Sequence, residues 1–326
     1  MEEKMSKAKR ILFLCLAIML IATVAVTACA PAKKWGTADN PIVITFVPSG
    51  DTGKITKAGT QIADWLSQKT GLSFKIEVGT SFGASIEAMG AQKAQVGFLN
   101  TFSVLLAEAK YQVVPAIAVV RNYATPAGFP DPDAALKDTM QTFYKAEFLT
   151  KATSGINTLA DLKGKTFCFV DPNSTSGYIV PNIILKAAGI DPLKDFKAVV
   201  NAGGHDKVAI AVYKGDCDAG VTFVDTRTDA SYKLYDTYPD IGTVLKVFAL
   251  SDRIPNDGVQ YIKQLDASTQ KTITDALMEM STDATAKQFL KDLYNISGYQ
   301  RIDATFYDAF AAVLKAAGVD PATLVK

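Results

Sequence analysis

Short β-branched or aromatic runs alternate with segments of helical spacing along almost all of this 326-residue chain, and that alternation restricts the fold more than any single residue does. Pro41 to Pro48 is a β-branched run bounded by prolines, and Thr56 to Thr70 then sets Ile62, Ala63, Trp65 and Leu66 at helical spacing ahead of a stop at Gly71. The rhythm continues with strands at Leu72 to Val78, Val96 to Leu99 and Val113 to Val120, separated by helices at Ser85 to Lys93 and Phe102 to Lys110. Ala124 to Asp138 interrupts it with three prolines and a glycine, a loop long enough to be functional or a boundary. Strand signals resume at Phe143 to Leu149 and Thr166 to Val170, followed by a helix near Ile179 to Ala188, a strand at Lys197 to Val200, a helix at His205 to Tyr213, and strands at Ala219 to Val224 and Val244 to Leu250. Beyond these the chain reads as helical, over Ala267 to Met280, Asp283 to Tyr294 and Ala304 to Ala317. This order predicts an α/β protein of two doubly wound, parallel-stranded lobes joined by a two-strand hinge. Residues 41–142 form the first lobe, 143–250 the second, and 251–326 return to cover the first.

The N-terminus predicts where such a fold works. Lys4, Lys7, Lys9 and Arg10 precede an uncharged stretch from Ile11 to Val26, the basic and apolar regions of an export signal. The stretch is short for a membrane span, which takes roughly 20 apolar residues. It ends in Val26-Thr27-Ala28-Cys29, which resembles a bacterial lipoprotein signal. That resemblance implies loss of residues 1–28 as a signal peptide and acylation of Cys29 as a membrane anchor; a non-lipidated signal or an uncleaved anchor is the simpler alternative. Residues 29–40 are polar, hold Pro31, Lys33 and Lys34, show no apolar periodicity, and are expected to be a flexible tether. The remaining chain is long enough for two cores, so a ligand cleft between lobes is expected.

Charge and residue counts exclude several functions. With 34 basic and 33 acidic residues the formal net charge is +1, which leaves no electrostatic footprint for nucleic acid. The single histidine, His205, makes a histidine metal site or a hydrolytic triad hard to build, so no cofactor, no metal and no catalysis are expected. Beyond the anchor, the mature chain has Cys168 and Cys217. If their strands run side by side with carboxyl ends level, Cys217 starts about five residues upstream of Cys168, an offset of roughly 17 Å. An exported protein with two cysteines permits a disulfide, but a disulfide needs Cα atoms about 4.4–6.8 Å apart, so both are expected as small buried hydrophobic residues.

The segment that carries chemistry is Asp171-Pro172-Asn173-Ser174-Thr175-Ser176-Gly177-Tyr178, placed directly after a strand and opening a helix. Ligands of open α/β sheets bind at the carboxyl ends of strands. There, three successive hydroxyls and the unpaired amides of a helix mouth can all donate to one oxyanion. Ser174 read alone would be an ordinary helix cap. Pro181 removes an amide from the following helix and predicts that its first turn is bent away from the rest.

DPNSTSGYIVP, with GGHDKVAIAVYKGDCDAG and IPNDG downstream, closely resembles the phosphate/phosphite/phosphonate-type substrate-binding proteins of ABC transporters, from the first strand through Asp257. The resemblance implies a type II periplasmic-binding-protein-like clamp, a monomer that closes over a small phosphorus oxyanion and hands it to an ABC permease and its ATPase. By position, Ser174, Thr175 and Ser176 match the family's hydroxyl donors and His205 matches its histidine. Asp225 and Asp257 stand where the aminoalkylphosphonate-binding members place acids toward the ligand's ammonium group. Without that group such acids meet another cation or act through a retained proton; pairing of Asp225 with Arg227 or its capping of the next turn, and a turn role for Asp257, are the simpler readings. Tyr144 matches a family tyrosine on the crossover strand, and Thr101 and Ser103 sit at another strand-to-helix turn; each could equally be cap or core. Phe82 departs from the family, which has tyrosine there. Loss of that phenolic hydroxyl makes the pocket more apolar and turns the expectation toward phosphite or a methylphosphonate. A sulfonate or carboxylate binder, a ligand-sensing lipoprotein and an enzyme on the same fold are the alternatives.

Overall fold

The computed structural model describes residues 34–323, so the expected signal peptide, the expected acylation site Cys29 and the first part of the expected tether lie outside the described residues. Among the described residues no helix is long and apolar enough to cross a membrane. In chain order the first strands and helices are β1 (Ile42–Phe46), α1 (Thr52–Thr70), β2 (Phe74–Val78), α2 (Phe82–Gly90), β3 (Val96–Leu99), α3 (Thr101–Tyr111) and β4 (Val114–Asn122). Short strands β5 (Met140–Gln141) and β6 (Phe143–Tyr144) lead to β7 (Ala146–Lys151) and β8 (Thr166–Phe169). Then come α4 (Val180–Ala187), β9 (Ala198–Asn201), α5 (His205–Lys214), β10 (Ala219–Phe223) and β11 (Leu245–Leu250). The chain closes with β12 (Ile254–Pro255), β13 (Gly258–Tyr261), α6 (Ala267–Met280), α7 (Lys287–Tyr294), β14 (Gly298–Arg301) and α8 (Asp308–Ala316).

Two sheets organise these elements. One is seven-stranded in the order β14-β4-β13-β3-β1-β2, with β5 added to β4; the other runs β11-β7-β10-β8-β9. Both are mixed, where the alternating pattern predicts parallel strands. β13 enters the middle of the first sheet antiparallel to β3 and β4, and β7 runs antiparallel to β10 and β11. The C-terminal region, read as helical, thus contributes two strands to the first sheet. Four residues such as Gly-Val-Gln-Tyr are too few to show a period. β1 supplies Ile42, Ile44 and Phe46, none with exposed surface, to the first core. α1 packs against it through Ile55, Ile62 and Leu66, capped by Asp51 at its start and left-handed Gly71 at its end. Its Gly59 lets the helix approach closely, since a Cβ there would stand 2.8 Å from the Phe46 ring.

The two sheets are joined where β6 and β12 pair, Tyr144 opposite Ile254 and Phe143 opposite Pro255. The proline-rich loop that interrupts the sequence pattern is pinned across this junction. Buried Lys145 donates to Asp131 (2.6 Å) and pairs with Asp133 (2.7 Å). Arg253 donates to Asp133, which holds that carboxyl well below the usual range, with Lys145 adding to the effect.

Cys168 and Cys217 form a disulfide, with Cα atoms 5.9 Å apart, contrary to the expectation of two unlinked buried residues. The offset was overestimated. The ladder sets Gly220 opposite Cys168, three residues from Cys217 and not five. Cys217 also precedes the strand: it lies in the turn after α5, where its amide donates back to the Ala211 carbonyl, so the chain is not extended there and folds the sulfur toward β8.

Candidate functional site

β8 ends at Phe169, and the hydroxyl run follows as a single π-helical turn, Thr175–Ile179, ahead of α4. Pro181 explains the break. It offers no N–H to the Gly177 carbonyl four residues back, and that carbonyl instead accepts from the Val170 amide at 3.0 Å. The exchange draws the turn onto the strand end so closely that a Cβ on Gly177 would sit 2.3 Å from Val170. Ser174 caps the turn, its Oγ accepting from the Gly177 amide at 3.1 Å.

The three hydroxyls take different directions. Ser174 and Ser176 line a cavity between the two lobes, and Ser176 meets the phenol of Tyr144. Thr175 is spent across the gap: its Oγ1 accepts from the Phe102 amide (2.8 Å) and from Asn100 Nδ2 (2.8 Å), both in the first lobe. Asn100 Nδ2 also donates to the Asn173 carbonyl, so this asparagine is an interlobe tie.

His205 opens α5 with its backbone amide donating to the Ser49 carbonyl of the first lobe at 2.9 Å, and Tyr232 donates to the same carbonyl. Its Nδ1 accepts from the Phe223 amide at 3.2 Å, so the ring proton of the neutral imidazole resides on Nε2, which lies 3.5 Å from Ser174 Oγ and borders the cavity. Burial, with Arg121 nearby, lowers the imidazole to about 3, so at neutral pH it serves as a neutral Nε2–H donor.

Opposite these groups stands Arg121, at the carboxyl end of β4. Its Nη2 is 3.6 Å from Asp257 Oδ2, its guanidinium is 5.8 Å from the Phe223 ring, and its Nε is buried without a partner. Burial pushes the Asp257 carboxyl up and Arg121 draws it down. Phe82, Val47 and Phe223 supply an apolar wall, and Tyr144, raised by burial, keeps its hydroxyl proton. Among the described residues the arrangement offers one cation and several neutral donors around a small space, which suits a tetrahedral oxyanion bearing a compact apolar substituent.

Of the residues named from sequence, Ser174, Ser176, His205, Asp257, Tyr144 and Phe82 border this cavity. Thr175 is turned to the interlobe ties. Thr101 donates to the Pro255 carbonyl at 2.6 Å and Ser103 is buried within the first lobe, so neither borders the cavity. Asp225, in a left-handed conformation with its carboxyl raised by burial, lines an adjoining cavity that shares Arg121, Tyr144 and Phe223. Arg227 acts on it through charge alone, with no hydrogen bond or close ion pair between them; the guanidinium donates to the Leu245 carbonyl and faces Glu147 at 3.9 Å, while Thr228 hydrogen-bonds the Asp225 side chain. Sequence reading missed Arg121, Ser49, Asn100, Tyr232 and Tyr294. A lone arginine closing an apolar strand was the signal available for the first.

Comparison with known proteins supplies a lineage. The sequence profile of the ABC transporter phosphonate periplasmic substrate-binding proteins matches residues 44–307. The phosphate-import protein PhnD of Mycolicibacterium smegmatis is 26% identical over 195 residues, covering 58% of this chain and 56% of that protein. The phosphonates-binding periplasmic protein of Escherichia coli is 34% identical over 154 residues, covering 46% of this chain and 44% of that one. The chain thus spans about half the length of the curated relatives it matches. A binding-protein component of a Pseudomonas aeruginosa phosphonate transporter superposes with a TM-score of 0.70 at 22% identity, covering 87% of this chain and 96% of that one. PhnD1 of Prochlorococcus marinus, solved with methylphosphonate, gives 0.69 at 18% identity over 85% and 98%. At these identities the two superpositions speak to fold.

Proposed function

The chain belongs to the phosphonate-type periplasmic substrate-binding proteins of ABC transporters, and from that premise we propose that it captures a small phosphorus oxyanion, a phosphonate or phosphite, by closure of its two lobes. The observation that carries this reading is the convergence of Ser174, Ser176, His205 and Arg121, drawn from both lobes, on one interlobe cavity. An anion touching both sides stabilises the closed form over the open one, because only closure brings the first-lobe guanidinium and the second-lobe hydroxyls within reach of the same ligand. Phe82 and Phe223 then face the substituent on phosphorus. Delivery to a permease and its ATPase, anchoring through an acylated Cys29 outside the cytoplasm, and action as a monomer complete the proposal.

Calorimetry against phosphite, methylphosphonate, 2-aminoethylphosphonate, phosphate and sulfate tests it. The expected result is saturable binding of at least one of the first three and loss of that binding in the Ser174→Ala/Ser176→Ala double variant, whose fold is checked by circular dichroism. Affinity confined to a sulfonate or a carboxylate, or retained by the double variant, would remove the phosphorus assignment.

Closure itself is testable at Thr175. In Thr175→Val the Phe102 amide and the Asn100 amide group lose their acceptor in the closed form alone, a penalty of roughly 1–3 kcal/mol. Ligand affinity is expected to fall about tenfold and small-angle scattering to report a larger radius of gyration without ligand. An unchanged radius and affinity would show that the tie does not govern closure.

A further inference from the structure

Beyond β10 the second lobe carries a segment, residues 225–233, that starts and ends on a non-glycine residue in the left-handed conformation, Asp225 (φ 70°) and Lys233 (φ 53°). Backbone of that kind persists where surrounding contacts hold it. Buried Arg227 roots the segment in its own lobe, its guanidinium donating to the Leu245 carbonyl. Further contacts cross to the first lobe. Asp229 Oδ2 accepts from Asn295 Nδ2 at 3.0 Å, the Tyr232 carbonyl accepts from Lys54 Nζ at 2.6 Å, and the Tyr232 hydroxyl donates to the Ser49 carbonyl at 2.9 Å. Burial raises that phenol well above its usual range, so it stays a donor at neutral pH. Its ring packs on Phe223, centroids 5.7 Å apart, and lies so close to Gly50 that a Cβ there would stand 2.4 Å from the ring. Ser49, Ser231 and Tyr232 all border the interlobe cavity, so the segment is part of its wall.

Resting on the phosphorus reading, we propose that residues 225–233 are a latch over the ligand, and that Tyr232, seated on Gly50, is the positioning residue that sets how slowly the ligand leaves. The latch contacts join opposite lobes without using the hinge strands β6 and β12, so they form only after closure and have no counterpart in the open form that admits ligand. Interactions made after entry lengthen residence and leave the rate of entry nearly untouched. The hydroxyl proton of Tyr232 is spent on Ser49, so this residue gives the anion no donor and acts through the closed state instead. Gly50 has no left-handed backbone to explain it; the ring above it is what excludes a side chain.

Stopped-flow fluorescence with methylphosphonate separates entry from release. In Tyr232→Phe the release rate is expected to rise about tenfold while the association rate stays within about threefold of wild type. Gly50→Ala is expected to release about tenfold faster as well, because closure then presses a methyl group into the ring. In Gly50→Ala/Tyr232→Ala that clash is gone, and release is expected to match Tyr232→Ala alone. Urea midpoints should stay near wild type; if Gly50→Ala does not fold, Lys54→Met, on an exposed side chain, carries the same test through faster release. Small-angle scattering without ligand is expected to give Tyr232→Phe and Gly50→Ala a larger radius of gyration than wild type, a result that needs no phosphorus compound. Release at the wild-type rate in these variants, or a loss of affinity carried by slower association, would overturn the latch and leave the phosphorus reading in place. Wild-type protein that binds no phosphorus oxyanion, with scattering still showing the variants more open, would overturn that reading and leave the latch standing over another cargo.

Discussion

Arg121→Gln is expected to weaken binding of the phosphorus oxyanion on the order of a hundredfold or more, about 3 kcal/mol, the range found when one member of a desolvated charge pair is truncated. Two effects act in the same direction. Among the described residues the guanidinium is the one cation bordering the cavity, and its Nε waits there without a partner, so its removal takes away both charge and a directed donor. Asp257 then loses the neighbour that offsets its burial, and its carboxyl rises further toward the neutral form. Arg121→Lys keeps the charge but loses the planar fork, and is expected to recover only part of the affinity. Both variants should unfold near the wild-type midpoint, since Arg121 ends an edge of β4 whose register is already fixed by β13 and β14. Calorimetry with methylphosphonate supplies the measurement; an Arg121→Gln variant that binds as tightly as the parent would show that the guanidinium serves the fold and not the anion.

That this arginine escaped the sequence reading has a physical cause. Alternation of β-runs and helical segments is a long-range signal, repeated over the whole chain, so the layering into two α/β lobes was legible from it. Sheet order was not. β13 is four residues long, carries a glycine and a buried glutamine, and reaches its place between β3 and β4 only after the chain has returned from the second lobe. The site shows the same division. Ser174, Ser176 and the turn that holds them follow from one contiguous motif at a strand end, and Pro181 even foretold the broken first turn. Arg121 and Asp257 become a pair only through the neighbouring positions of β4 and β13, a contact no local pattern encodes.

Thr175 illustrates a finer limit. Successive residues of a helical turn point in directions about 100° apart, so three hydroxyls in a row cannot all face one small cavity. Composition announces the run, and backbone geometry decides which member is spent on the opposite lobe. His205 is the converse case. The glycines before it said only that a helix begins; the Phe223 amide on Nδ1 is what fixes the tautomer and gives the cavity an Nε2–H donor.

The disulfide is the one element of the second lobe whose loss should be felt throughout it. Cys168 and Cys217 close a loop of 49 residues that contains the hydroxyl turn, α4, β9 and α5, and a cross-link of that span removes about 4 kcal/mol of freedom from the unfolded chain by the loop-entropy account. The double variant Cys168→Ala/Cys217→Ala, with alanine chosen because both positions are buried, is expected to lose roughly 2–4 kcal/mol of stability. Urea unfolding should show this as a lower midpoint, and wild-type protein in excess dithiothreitol should move to the same midpoint. Affinity for methylphosphonate is expected to stay within about threefold of wild type under native conditions, since neither cysteine borders the cavity and β8 keeps its ladder to β9 and β10. The result bears on compartment as well as on fold. A bridge of this worth persists where thiols are oxidised, which is the setting of a periplasmic-type binding protein. Wild-type protein whose midpoint ignores the reductant, with free-thiol titration confirming that the bridge has opened, would show that the two sulfurs hold nothing that the sheet does not already hold.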